Sequence, residues 1–170
     1  AAVIAVDQHA ATVEAMLGAM RETQRGRTHA QRPQRRVVRD APQRQDADAL
    51  DGRLLLLLSA DDKDEPRFQI AESFQSQQVF GIDVEQWRPN ESRVVGSEAN
   101  GFPRRTLAEI PAGRYRVQAL LHKYETFRRA DGHVGKLPAD RGEGQQWNGK
   151  PGNLYSTPRG TTLNPRRGEP

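Results

Sequence analysis

The chain contains no cysteine. That excludes disulfides, thiolate zinc sites and a cysteine nucleophile, and it leaves the redox compartment open. No apolar run approaches the roughly 20 residues that cross a bilayer as a helix, and the longest, Leu54–Leu58, is only strand-sized. Aromatic residues make up 6% and hydrophobic ones 35% of the 170 residues, with a mean hydropathy of −0.85, so part of the chain is expected to lie outside any packed core. Neither sign of charge dominates: 26 Lys and Arg stand against 22 Asp and Glu, a net +4. A mildly basic balance of this kind bears on solubility and loose association and does not establish a nucleic-acid partner. The sequence opens at Ala1 with neither an initiator methionine nor a basic-then-apolar leader, so the expectation is a signal peptide that is absent or already removed. The compartment is otherwise undetermined, with a periplasmic or secreted location slightly favoured.

Catalytic signatures are missing as well. There is no G-x-S-x-G elbow, and Gly96-Ser97 lacks both the spacing and the strand-to-helix context. H-E-x-x-H, the P-loop and G-x-G-x-x-G do not occur, and Gly142-Glu143-Gly144 is too short for a dinucleotide fingerprint. The acidic turn Ser59–Pro66 has no EF-hand spacing and no obligatory glycine. His133 sits near Asp131, Asp140 and Glu143, which permits a metal site or an acid–base pair on paper, but chance proximity in a polar segment accounts for it equally well. No catalytic residue, metal ligand or cofactor is expected in this chain.

Taken in order, residues 1–24 predict a short helix, with Val13, Met16, Leu17 and Met20 at helical spacing and Asp7 as a cap. Residues 25–50 are rich in Arg, Gln and Pro and read as a disordered linker, with Val37-Val38 the only apolar pair from Arg21 to Asp48. An arginine-rich arm can bind nucleic acid, but Asp40, Asp46 and Asp48 dilute the charge and no aromatic is interleaved for stacking. A solvated linker is the preferred reading. An ordered domain is then expected over 51–165, followed by a tail at 166–170.

Within that domain the pattern is of short strands separated by turns, which predicts an all-β fold, an immunoglobulin-like β-sandwich. Leu54–Leu58 has no polar alternation and suggests a strand covered on both faces. Val79–Val84 and Arg93–Val95 follow as strands, Asn100–Pro103 as a turn, and Asn153–Leu163 as a closing strand. Gly113 to Leu121 alternates with a period of two, and Gly113-x-Tyr115-x-Val117 has the layout of a tyrosine corner, with Val117 where an immunoglobulin cysteine would stand. After His122 the alternation stops, and a long polar segment carries Phe127, His133, Trp147 and Tyr155 among acids, amides and glycines. That composition points to an ordered loop that presents something, because irregular loops beyond about 12–15 residues are usually functional or disordered.

The segment Tyr124–His133, then Lys136–Asp140, Gly142–Gln145, Trp147-Asn148 and Pro151–Ser156, resembles the amino-terminal domain of bacterial and fungal esterases. These are α/β-hydrolases of the enterochelin-esterase and esterase D kind; Asp51–Ser59 and Glu65–Ile70 look similar to the same domain's opening. The resemblance implies a β-sandwich that precedes a serine-hydrolase domain whose nucleophile elbow is not in this chain. It makes the α/β-hydrolase domain the expected partner and a non-catalytic accessory role the expected function, helping to stabilise or shape the substrate entrance. Candidate interdomain or ligand-binding residues are Tyr124, Phe127, Asp131, His133, Asp140, Glu143, Gln145, Trp147 and Tyr155. The alternative is a carbohydrate-binding module in which Trp87, Trp147 or Tyr155 stacks on sugar rings. Ester or carbohydrate are thus the ligand classes expected; no membrane partner is expected, and a nucleic acid is the weakest of the readings weighed.

Overall fold

The computed structural model describes residues 2–7, 12–17, 49–88, 91–139 and 146–164. Among them the chain is all-β. The strands are β1 (Ala2–Asp7), β2 (Thr12–Leu17), β3 (Leu50–Ser59), β4 (Gln78–Trp87), β5 (Ser92–Val95), β6 (Asn100–Phe102), β7 (Gly113–Lys123), β8 (Glu125–Arg128), β9 (Val134–Leu137), β10 (Leu154–Tyr155) and β11 (Arg159–Leu163). Pro66–Phe68 and Leu107–Glu109 form single 3-10 turns. The larger sheet runs β10–β7–β3–β4–β6, with β11 also pairing β7, and all its pairings are antiparallel. A second antiparallel sheet runs β2–β1–β5.

The leucine run explains why β3 sits at the centre. A strand's side chains alternate between faces, so Leu54, Leu56 and Leu58 enter the main core with Phe80, Val117, Ala119 and Leu121. Val95 at the end of β5 joins the same cluster, as do Leu107, Ile110 and Leu163, so the two sheets share one interior. Burying each of these leucines contributes roughly 1.5–3 kcal/mol. Gly101 lies opposite Phe80, and a Cβ there would collide with the Phe80 ring and the Arg104 carbonyl, so the glycine is what lets the ring pack.

One irregularity redirects β4. Leu50 pairs with Trp87 while Gly52 pairs with Val84, so β4 spends an extra residue, and Gln86 takes φ 47°. A bulge shifts the parity of the strand beyond it. Val84 and Trp87, three apart, therefore both reach the core. Asp51 fixes the bulge by accepting the Gln86 N–H at 2.9 Å.

The tyrosine corner is present as a hydrogen bond: the Tyr115 hydroxyl donates to the Pro111 carbonyl at 2.9 Å. The order β2–β1–β5 differs from the immunoglobulin arrangement, where the first strand of the chain takes an edge of its sheet.

Several expectations are corrected. The helix expected in residues 1–24 is instead two paired strands, β1 and β2, and β1 pairs on its other side with β5. Helix-forming Ala, Met and Leu are overridden because a short strand such as β5 needs partners, and tertiary pairing outweighs a weak local preference. The domain therefore recruits residues well before position 51. Asn100–Phe102 is an edge strand rather than a turn, and the closing strand is split into β10 and β11. The linker expected at 25–50 lies outside the described residues as far as residue 48, and so does the tail from 166 onward.

Candidate functional site

Because β3, β4 and β7 alternate, their odd or even partners on the opposite face form a second surface: Leu55, Leu57 and Asp83 with Gln118, Leu120 and His122. Leu57, Gln118 and Leu120 are each 0% exposed although none belongs to the main core. Two loops cover them, one between β3 and β4 and one leading into β10.

Gln118 holds those loops to the sheet. Its Oε1 accepts the Arg67 backbone N–H at 3.1 Å, and its Nε2 donates to Glu65 Oε2 at 2.8 Å and to the Ser156 carbonyl at 2.9 Å. Both amide protons and the oxygen are thus paired, as a buried amide requires. Arg67 ties the loops to each other. Its Nε donates to Glu65 Oε2 at 2.7 Å and a terminal nitrogen to the Asn148 carbonyl at 2.9 Å, while the guanidinium lies 4.3 Å from the Phe68 ring centre and 3.8 Å from that of Tyr155. The hydrogen bond from Gln118, and then the Arg67 bond and charge, hold the Glu65 carboxyl below its ordinary range against the opposing effect of burial. Asn153 donates to the Trp147 carbonyl at 2.8 Å and accepts the Lys123 N–H at 3.1 Å, fixing the second loop to β7.

Between the loops the face stays open as a groove of about 870 Å³. Ile70, Ala71 and Glu72 form one wall, Gln146, Trp147 and Asn148 the other, with Phe102 of β6 and His122 of β7 completing the lining. Phe74 stands at the rim, 86% exposed, its ring centre 5.8 Å from that of Phe102. Water-facing aromatic rings gathered at one concave place mark a recognition surface, whereas scattered ones do not. The volume falls in the range of about 300–1,000 Å³ usual for ligand sites.

Beyond Lys123 the chain leaves the sheet as the β8–β9 hairpin, paired from Glu125↔Leu137 to Arg128↔Val134. Its turn is closed by the Arg129 N–H to the His133 carbonyl at 2.8 Å, with Gly132 at φ 84°. The root is anchored twice: Lys136 pairs with Asp51 at 3.1 Å, and the Tyr124 hydroxyl donates to Asp83, which also holds Arg53 at 2.9 Å. Burial, and then the Asp83 carboxylate, push the Tyr124 phenol up. The Gln86 N–H, with help from Lys136 and against the opposing effect of burial, lowers Asp51.

The candidate residues therefore separate into two places. Tyr124, Phe127, Asp131 and His133 belong to the hairpin, and Trp147 to the groove. Tyr155 lies under Arg67 beside the groove; Asp140, Glu143 and Gln145 lie outside the described residues. Asp131 faces Arg129 at 3.2 Å and the His133 backbone N–H at 3.0 Å, an arrangement that closes the turn. Among the described residues no three acidic or histidine side chains gather as a metal site. Trp87 is corrected: it is 2% exposed, its indole donates to the Glu91 carbonyl at 2.8 Å, and it cannot stack on a ligand. The polar segment expected as one loop is in part the β8–β9 hairpin, and Asp131-Gly132 was the turn signal for it. Glu72, Phe74, Phe102 and His122 were missed, because sheet register and the bonds that seat the two loops bring them near Trp147.

No protein-family model matches the chain, and neither the curated proteins nor the solved structures contain a significant match to it.

Proposed function

We propose that this chain is a non-catalytic accessory β-sandwich domain of a serine esterase, which places the outer-face groove beside the substrate entrance of an α/β-hydrolase domain and helps to shape it. The groove carries the reading. It is concave, lined by aromatic and polar side chains together, and set on a sheet face whose covering loops are pinned by Gln118 and Arg67. A rigid element is where a recognition site keeps its geometry. The residues of the esterase-like segment support the same reading from another side. Trp147-Asn148 lines the groove and Asn153–Ser156 fastens its wall, so that part of the segment is spent on building one surface. The tyrosine corner at Tyr115 supports an immunoglobulin-like origin.

The test is the reading frame beyond the Pro170 codon, followed by kinetics. An in-frame hydrolase domain with a G-x-S-x-G elbow is expected, and deleting the present chain from that protein should raise KM for bulky esters more than for small ones. A frame without a hydrolase, or a hydrolase whose stability and kinetics are unchanged by the deletion, overturns the proposal.

A further inference from the structure

The geometry points to a neutral oligosaccharide as the occupant of the groove, held across Trp147 and the Phe102–Phe74 pair. The inference rests on the reading of this face as a recognition surface and names its ligand class. Three features of the lining select it. The first is the alternation of chemistry. A pyranose presents apolar C–H faces with hydroxyls around the edge, and the groove offers rings for the faces and Glu72, Gln146 and Asn148 for the edge. An acyl chain would cover the Glu72 carboxylate and the two amides without supplying a hydrogen bond to any of them.

The second feature is charge. None of the eight lining residues among those described is Lys or Arg, and their one carboxylate, Glu72, makes no ion pair or hydrogen bond among the described residues. A phosphate or a uronate would meet that negative charge, whereas hydroxyls donate to a carboxylate in charge-assisted bonds. The third is shape. Phe74 extends the aromatic platform past the rim and keeps 86% of its surface exposed, so the platform is longer than the pocket and suits a chain of sugars better than one ring. An extended peptide would be held mainly by main-chain bonds along a free strand edge. The nearest edge, β6, offers only Asn100–Phe102.

The two tryptophans make the test direct. Trp87 is 2% exposed and silent to ligand, so a change in indole emission reports on Trp147. The full chain is titrated with cellohexaose, xylohexaose and laminarihexaose, with oligogalacturonate as the acidic control and a proline-rich peptide as the non-sugar control. Saturable emission change with at least one neutral hexasaccharide is expected, weaker by tenfold or more with the acidic one. Glu72→Gln, in an exposed loop, should weaken binding severalfold, as should Phe74→Ala, and Val94→Ala, at an exposed position of β5 in the other sheet, should leave it unchanged. Retention in native gels containing the matching polysaccharide provides a second readout for Trp147→Ala, which lacks the reporter. No response to any neutral sugar from the folded chain overturns the inference, as does binding that survives both Glu72→Gln and Phe74→Ala, or preference for the peptide or the acidic sugar. Failure here leaves the deletion kinetics of the hydrolase protein untouched, so the two proposals fall separately.

Discussion

Leu56 and Leu57 are neighbours in β3, and neither has any exposed surface. They are covered by different means. Leu56 faces the second sheet among Phe80, Ala119 and other apolar side chains. Leu57 faces outward, across from Gln118, beneath loops held by an amide, a carboxylate and a guanidinium. The inner face is closed by area removed from water, which is non-directional and tolerant of detail. The outer face is closed by hydrogen bonds, which hold two loops at a fixed separation and leave a groove between them. Apolar closure stabilises; polar closure also sets a shape. That contrast is open to direct attack.

The largest effect should come from the inner face. Leu56→Ala removes side-chain volume where nothing can collapse to refill it, and a loss of about 2–5 kcal/mol is expected by urea unfolding. Groove affinity measured below the midpoint should stay at the wild-type value. A loss under about 1 kcal/mol would mean that the two sheets are loosely joined and the contrast is overstated.

Gln118→Leu comes next, with an opposite signature. It strands the Ser156 carbonyl and the Arg67 N–H, and deprives Glu65 of its buried donor. An unpaired buried group costs about 1–3 kcal/mol. Here the groove should suffer too, since both of its walls hang from this side chain. Unchanged ligand response in a folded Gln118→Leu chain would show that the loops keep their spacing without it.

How much of this contrast was legible in the sequence depends on distance along the chain. Leu54–Leu58 announced a strand covered on both faces, because five apolar residues without alternation leave no side for water. Tyr115 announced its corner, because donor and acceptor are only four residues apart. The β1–β2 pair was illegible: Ala, Met and Leu favour a helix locally, and what makes them strands is β5, about eighty residues later. Trp87 was misjudged because its direction depends on a bulge at Gln86, which shows only once β3 and β4 are paired. The groove was illegible as a unit, since residues near 70, 102, 122 and 147 meet through strand register and the hydrogen bonds that seat the two loops. Trp147 by itself was visible, as a lone tryptophan in a polar stretch.

Acid should separate the faces by a smaller amount. Glu65 has its folded-state pKa lowered, chiefly by the Gln118 hydrogen bond, so its contribution is complete above the unfolded value of about 4.3 and disappears as pH falls through the folded value. Wild type should therefore melt above Glu65→Gln at neutral pH, and the two melting curves should converge below about pH 4, where the protonated acid and the amide are near-isosteric. Leu56→Ala should keep a constant gap to wild type over the same range. Asp51 is lowered as well and steepens the overall acid response in every variant, so the difference between curves is the quantity to read. A gap for Glu65→Gln that persists undiminished at pH 3 would remove the carboxylate from the outer-face closure.

The smallest change in stability should come from Trp147→Ala, and it is the one that decides whether the groove is for use or for folding. The ring is half-buried, and the contact that fixes its loop runs through the Trp147 backbone carbonyl to Asn153, which truncation leaves intact. About 1 kcal/mol or less is expected from the part of the ring that is covered. A ring belonging to the closure itself would cost about 3–5 kcal/mol, the usual figure for deleting a buried aromatic. In a protein with a hydrolase domain attached the same substitution should act on substrate or ligand affinity, since aromatic anchors at recognition surfaces carry about 2 kcal/mol or more. Paired thermal melts of the isolated chain separate the possibilities. A large drop there would assign Trp147 to the outer face's own closure, and the recognition reading would then lose its main aromatic.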